Sequence, residues 1–426
     1  MRVLMFSWEY PPRIIGGLAR HVHELSVALR AKGVQVDVVT VSEDPRTPAE
    51  EVLQEVRVWR ARPYHLAPRD FISGILQLNL AMLEKALHLF LRGEQYDLLH
   101  AHDWLTAFAA RAVKHAARRP LVATIHATEF GRNRGLHTDE QRYISDVEWW
   151  LTYEAWKVIC CSPYMCGELQ HVFHLPADKI AVIPNGVDPR QFSTSGRPDP
   201  ALRRRYAADD EKIVFFIGRL VQEKGVHILL EAVPRILAAA PKTKFIIAGK
   251  GPALDGLRSL ARELGVERHC YFTGFIDDIT RNFLYQFASA AVFPSLYEPF
   301  GIVALEAMAA GVPVVVADVG GFSSIVEHGV TGLKCYPGDA ASLALQVATL
   351  LNSGAYARKL AKNAARTVKK EYAWQEIAKQ TRNIYQQVLD QFKRSSWAPM
   401  ERKDAAFPYY YAAAPDYQEY WQEGKS

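Results

Sequence analysis

Short apolar, β-branched runs alternate with amphipathic stretches along most of the chain. Val3–Phe6, Val36–Val41, Leu98–Ala101, Leu121–Ile125, Val158–Cys161 and Ile180–Ile183 read as strands buried on both faces. Leu18–Ala31 and the stretches 70–92, 104–117, 138–155 and 164–172 carry helical periodicity between most of them. The pattern then restarts. Ile213–Ile217, Phe245–Ala248, Cys270–Phe272, Ala291–Phe293 and Val314–Val316 are strands, with helices near 225–239, 253–264, 276–287 and 301–310. Such alternation predicts an α/β protein of two Rossmann-like, doubly wound domains facing across a cleft, with ligands outside the carboxyl ends of the strands.

Asn185-Gly186-Val187-Asp188-Pro189 is a turn cluster, and Ser193–Pro200 is rich in Ser, Gly and Pro. The boundary is therefore expected there, giving domains 1–192 and 193–373. Helices follow near 353–370 and 374–392. The segment 393–426, with Tyr409-Tyr410-Tyr411, loses periodicity and reads as an aromatic-rich tail.

Composition narrows the class without naming it. A net charge of +5 in 426 residues gives no argument for nucleic acid and only a mild preference for anionic ligands. Five cysteines without a framework point to reduced, buried thiols and a cytoplasmic setting. The opening apolar run is too short for a signal-peptide core. Phe71–Leu91 is the nearest approach to a membrane span, but Asn79, Glu84, Lys85 and His88 interrupt it. It reads as an amphipathic helix docked on the core, the alternative being contact with a membrane or a lipid acceptor.

Three segments carry chemistry. Gly16-Gly17 lies between the first strand and a helix, where it lets backbone approach a ligand and aims helix N–H groups at an anion. Gly218-Arg219-Leu220-Val221-Gln222-Glu223-Lys224-Gly225 brings two cations to a strand-to-helix loop, a combination suited to a diphosphate. It is not a P-loop, and Leu254 breaks the dinucleotide fingerprint begun by Gly249-Lys250-Gly251, which disfavours a dehydrogenase. In Glu298-Pro299-Phe300-Gly301-Ile302-Val303-Ala304-Leu305-Glu306, two carboxylates stand at a helix mouth and inside that helix, placed to bind hydroxyls. The plain alternatives are a solvated basic turn, a helix cap and one exposed glutamate.

Together these residues resemble the Glu-x7-Glu pattern of retaining GT-B glycosyltransferases of family 4 and of glycogen and starch synthases, over about residues 1–390. The resemblance implies that Arg219 and Lys224 bind the donor diphosphate, Glu298 the donor sugar and Glu306 the ribose. It places Gly16 and Gly17 over the phosphates, and Gly274 and Phe275, after Thr273, at the nucleobase. Phe300, Gly301 and Ile302 line the donor site with them, and Gly320-Gly321 resembles a loop near the phosphates. His126, closing Val122-Ala123-Thr124-Ile125-His126, matches a histidine near the scissile bond. His102 and Asp103, in His100-Ala101-His102-Asp103-Trp104, and Glu129 fall on the acceptor side. The helix at 374–392 is expected to cross back to the first domain. No third ligand is evident beside the two histidines of the His-x-His segment, so no metal and no cofactor are expected beyond the nucleotide-sugar co-substrate.

Trp8-Glu9-Tyr10-Pro11-Pro12 and Thr128-Glu129-Phe130-Gly131-Arg132 are most similar to the branch that extends α-glucans from ADP- or UDP-glucose. One position departs: Ile14 stands where bacterial glycogen synthases carry a loop lysine, with Arg13 as the neighbouring substitute. A donor such as GDP-mannose on a glycan or lipid acceptor is the alternative. Two other classes share the fold: a nucleotide-sugar epimerase, and a non-catalytic carbohydrate-binding protein.

Overall fold

A computed structural model of the chain describes residues 1–192 and 200–398. The boundary stretch 193–199 and the tail from 399 onward lie outside the described residues.

The first domain is an eight-stranded sheet. Its strands are β1 (Arg2–Phe6), β2 (Gln35–Val41), β3 (Glu50–Leu53), β4 (Val56–Ala61), β5 (Leu98–His102), β6 (Leu121–Ile125), β7 (Lys157–Cys160) and β8 (Ile180–Val182). They lie in the order β3-β4-β2-β1-β5-β6-β7-β8. All neighbours are parallel except the β3–β4 pair. The second sheet comprises β9 (Lys212–Ile217), β10 (Thr243–Ala248), β11 (Cys270–Gly274), β12 (Ala288–Phe293), β13 (Val314–Ala317) and β14 (Leu333–Cys335). Its order is β11-β10-β9-β12-β13-β14, parallel throughout. Each sheet reverses direction of winding beside its first strand, which opens a crevice at the carboxyl ends of β1 and β9.

The β3–β4 hairpin departs from the apolar rule that found most of the other strands, the short β14 being the other one it passed over. β4 carries Arg57 and Arg60, and Arg60 is fully buried. Its guanidinium pairs with Glu51 on β3 and donates to the carbonyls of Pro11 and Pro48, so the charge is neutralised inside the sheet edge. The helix Ala340–Asn352, capped by Asp339, is a further element the periodicity passed over.

Helix Phe71–Leu91 docks on the core. Asp70 and Ser73 form its capping box, and Ile75, Leu78, Met82, Ala86 and Leu89 are buried. Asn79, which interrupts its apolar face, is also buried and fully satisfied: Nδ2 donates to the carbonyls of Ile75 and Leu105, and Oδ1 accepts from Ala109 N. No helix among the described residues is long and apolar enough to cross a membrane. Cys160, Cys161, Cys270 and Cys335 are buried free thiols.

Helix Trp374–Arg394 returns from the second domain to the first. Trp374, Ile377, Ala378, Tyr385 and Val388 enter one apolar cluster with Val3, Met5, Val22, Leu25, Val36 and Val58. The crossing is fixed at its start, where Val187 N donates to Tyr372 O at 2.8 Å and Trp374 covers Gly186, leaving no room for a Cβ there.

Candidate active site in the interdomain cleft

The second domain shapes its half of the cleft with close backbone approaches. Gly225 has φ 67°, and a Cβ on it would lie 2.0 Å from the carbonyl oxygen of Pro294. Gly320, at φ 56°, would put a Cβ 2.0 Å from the carbonyl oxygen of Glu298, and Gly321 N donates to that same oxygen at 2.8 Å. The Gly218–Gly225 loop and the Glu298 loop are thereby pressed together, so their charges meet. Lys224 Nζ donates to Glu298 Oε2 at 2.8 Å, and Ser295 Oγ donates to the same oxygen at 3.2 Å. Arg219, just over half exposed at 55%, pairs with Glu223 at 3.2 Å. Gly249 and Gly251 pack on the carbonyl oxygens of Gly218 and Leu220, with a Cβ at 1.8 and 2.2 Å respectively. Those glycines therefore support the basic loop, a steric role that needs no dinucleotide.

Glu306 lies one turn inside helix Ile302–Ala309 and is 6% exposed, which corrects the reading of one exposed glutamate. Its Oε1 accepts from Arg20 of the first domain at 2.9 Å and from Arg281 at 3.3 Å. Burial pushes its pKa up to about 7, against the lowering pull of Arg20. Arg20 also pairs with Asp278. Two further contacts hold the domains together: Ser162 Oγ donates to Pro299 O at 2.6 Å, and Tyr297 OH donates to Glu168 Oε1 at 3.1 Å.

Gly16 caps helix Gly17–Arg30 with extended backbone. The buried carboxylate of Glu9 accepts from Ile15 N at 2.7 Å and Gly16 N at 3.0 Å, which pins the loop from beneath. A Cβ on Gly17 would sit 3.3 Å from Ile302, so the glycine pair faces the helix carrying Glu306. Arg13 is committed elsewhere, to Glu43 and to the face of Trp8 at 5.0 Å. Phe300 is buried beside Gly321, whereas Gly274 ends the edge strand β11 and Phe275 follows it, exposed.

Around Asp103, His126 and Glu148 the first domain's wall is a buried polar network. Asp103 follows β5 at φ 58°, a strained setting for a non-glycine residue, and accepts from His126 N at 2.7 Å. Burial raises its pKa to about 6, offset by Arg132. Glu129 N donates to both carboxylate oxygens of Glu148 at 3.0 Å, and burial raises the Glu148 pKa well above the usual range. Arg132, its side chain 37% exposed, pairs with Glu129 at 3.7 Å and lies in the field of Asp103 and Glu148.

Desolvation drives His126 down to about 3 and holds His21, His100 and His102 well below the ordinary range, so all four imidazoles are neutral. His100 bridges Tyr385 OH and Thr124 Oγ1, each at 2.7 Å, a structural role. His102 is fully buried and meets His126 at 3.2 Å, so it reaches the cleft only through His126. The expected pair, His100 and His102, gains no third ligand among the described residues; the structure instead groups His102 with His126 and with His21 from helix Gly17–Arg30, leaving His100 outside. His21, Arg20, Arg132 and Glu148 escaped the sequence reading. For Arg20 and His21 the available signal was their position one helical turn after Gly16-Gly17, on the face a glycine-rich turn presents to the cleft.

Residues 15–191 match the model for Glycosyltransferase Family 4, and residues 199–367 match that for Glycosyl transferases group 1. An uncharacterized glycosyltransferase of Methanocaldococcus jannaschii is 40% identical over 397 residues, spanning 92% of this chain and 100% of its own. The chain belongs to the GT-B glycosyltransferases. A glycogen synthase of Mycobacterium tuberculosis is 40% identical to this transferase over 400 residues, covering 90% of it and 94% of the relative. The structure of sucrose-phosphate synthase from Thermosynechococcus elongatus superposes with a TM-score of 0.78 at 27% identity, over 92% of the transferase and 99% of that chain.

Proposed function

We propose that this transferase is a retaining hexosyltransferase that moves glucose from ADP- or UDP-glucose to an α-glucan. The observation that carries the reading is the Lys224–Glu298 pair at 2.8 Å, held by glycine-backed loops, with Gly17 of the first domain close to Ile302, just beyond Glu298 in the chain. Donor binding inserts a diphosphate between these partners: Lys224 turns from Glu298 to the phosphates, Arg219 swings from Glu223 to join it, and Glu298 is freed for sugar hydroxyls. Glu306 exchanges its arginine partners for the ribose diol. Both cations then stabilise charge that grows on the leaving group, the form of electrostatic help that contributes most to group transfer.

As the bond from the anomeric carbon to the diphosphate breaks, the acceptor hydroxyl attacks on the same face, and its proton passes to the departing phosphate oxygen. His126 donates or accepts a hydrogen bond at the donor sugar as a neutral imidazole, held by Asp103. Glu129 and Asp103 orient the acceptor wall. The 40% identity to a glycogen synthase supports a glucose donor. The commitment of Arg13 to Glu43 and Trp8, with Ile14 beside it, favours a second reading in which another donor such as GDP-mannose is used.

The test is release of nucleoside diphosphate from ADP-glucose, UDP-glucose and GDP-mannose, with and without glycogen, followed by product length. Glycogen-dependent release from a glucose donor with chain growth supports the glucan assignment. Release only from GDP-mannose supports the second reading. Release without an acceptor product points to the epimerase class or hydrolysis, and no release from any donor to the binding-protein class.

A further inference from the structure

Three imidazoles from three separate elements converge beneath the acceptor wall. His21 comes from helix Gly17–Arg30, His102 ends β5, and His126 follows β6. One ring nitrogen of each lies within 4.8 Å of the others. The ring centroids of His21 and His126 are 4.6 Å apart, and those of His21 and His102 5.5 Å.

The spacing fits a tetrahedral ion. Two nitrogens each about 2.0–2.1 Å from a common tetrahedral centre stand about 3.3–3.4 Å from one another. The His102 Nδ1 to His126 Nε2 distance is 3.2 Å, so one edge of that tetrahedron is already formed. The remaining separations, none above 4.8 Å, close by at most roughly 1.4 Å to reach that edge length.

A second observation points to a ligand. His21, 4% exposed, has no hydrogen bond at either ring nitrogen; the Asn185 side chain is near enough to act on it, but its Oδ1 is unpaired as well. Neutral imidazole is one donor and one acceptor, so this leaves polar atoms unmatched in a region walled by Trp374, whose ring is 5.6 Å from that of His21. An ion takes one nitrogen from each ring, Nδ1 of His102 and Nε2 of His126 on the edge already formed, and pairs one of the two orphaned nitrogens of His21. His126 is the least buried of the three.

We propose that His21, His102 and His126 form a binding site for a borderline divalent transition-metal ion of the Zn2+ and Co2+ class. Imidazole-only ligation selects this class over Mg2+ or Ca2+, which require oxygen ligands. Because His126 also meets the donor sugar in the function proposed above, the ion and the donor exclude each other. That second half rests on the functional reading, whereas metal binding does not.

Co2+ titration of the metal-free full chain, followed by its visible absorption, tests the site directly. The expected result is a saturable one-to-one appearance of intense tetrahedral bands, abolished by adding Zn2+. The variant His21→Asn loses those bands, with Co2+ affinity at least roughly 10-fold weaker, since loss of even outer-sphere partners commonly costs that much. His126→Asn, at the more open member, gives the same loss and stands in if His21→Asn does not fold; exposed His137→Asn changes nothing. Absence of tetrahedral bands, or bands unaltered in both His21→Asn and His126→Asn, overturns the site. In the transfer assay Zn2+ raises the donor KM and leaves kcat unchanged. A fall in kcat alone overturns the mutual exclusion. Cobalt bands in a protein that transfers no sugar from any donor overturn the functional reading and the exclusion while leaving the metal site standing.

Discussion

The two walls of the cleft are built by opposite means. The second domain positions Lys224 and Glu298 through backbone contacts that only glycine allows, at Gly225, Gly320 and Gly321. The first domain positions His126 and Glu129 through buried polar side chains, Asp103 and Glu148, whose own charges are disfavoured by the site they occupy. A steric scaffold holds one geometry at any pH and tolerates no added atom. A buried polar scaffold tolerates substitution of shape better, but is tied to protonation and to the partners that neutralise it.

Four experiments would break or sharpen that contrast. Lys224→Ala is expected to lower kcat/KM about 10²–10³-fold in the transfer assay with little change in Tm, because one positioned charge at the leaving group is lost. Next comes the scaffold itself. Gly320→Ala should destabilise the second domain by about 3 kcal/mol in urea unfolding, since a Cβ at φ 56° would sit 2.0 Å from a carbonyl oxygen.

The third tests protonation. Glu306 has its folded pKa raised from an ordinary 4.5 to about 7, so the folded state binds a proton that the unfolded state has released. Stability from this group is therefore present below about 4.5 and is lost as pH rises to about 7. Glu306→Gln should remove that slope, shrinking the loss of stability between those pH values by roughly 1–3 kcal/mol, as thermal unfolding across the range will show. The smallest effect belongs to Ser162→Ala, which removes the hydroxyl between Pro299 O and the cap of helix Pro163–Phe173. About 1 kcal/mol of stability is expected to go.

The same contrast explains what was legible in the sequence. Gly218–Gly225 and Glu298–Glu306 are contiguous segments in which charges and glycines sit within one loop and helix, so local spacing reveals them. Nearly all parallel strands were readable for the same reason, being continuous apolar runs. Arg60 hid β4, because a fully buried arginine contradicts the hydrophobic pattern and is tolerated only through its pairing with Glu51 and two carbonyls. The polar wall of the first domain was legible only in part. His126 and Asp103 stood in recognisable segments, but Glu148 and His21 lie far from them in the chain and carry meaning only once helices Asp139–Glu154 and Gly17–Arg30 have folded against the sheet.

The returning helix imposes an order on synthesis. The cluster uniting Val3, Met5, Val22, Val36 and Ile183 with Ile377, Tyr385 and Val388 is completed by residues made almost two hundred codons after the rest. At translation speeds of about 5–20 residues per second, the part of that sheet face not covered by helix Gly17–Arg30 would stay bare for roughly 10–40 s. That nascent face is an adhesive apolar surface, and its protection falls to chaperones or to slow, reversible partners until helix Trp374–Arg394 emerges to cover it.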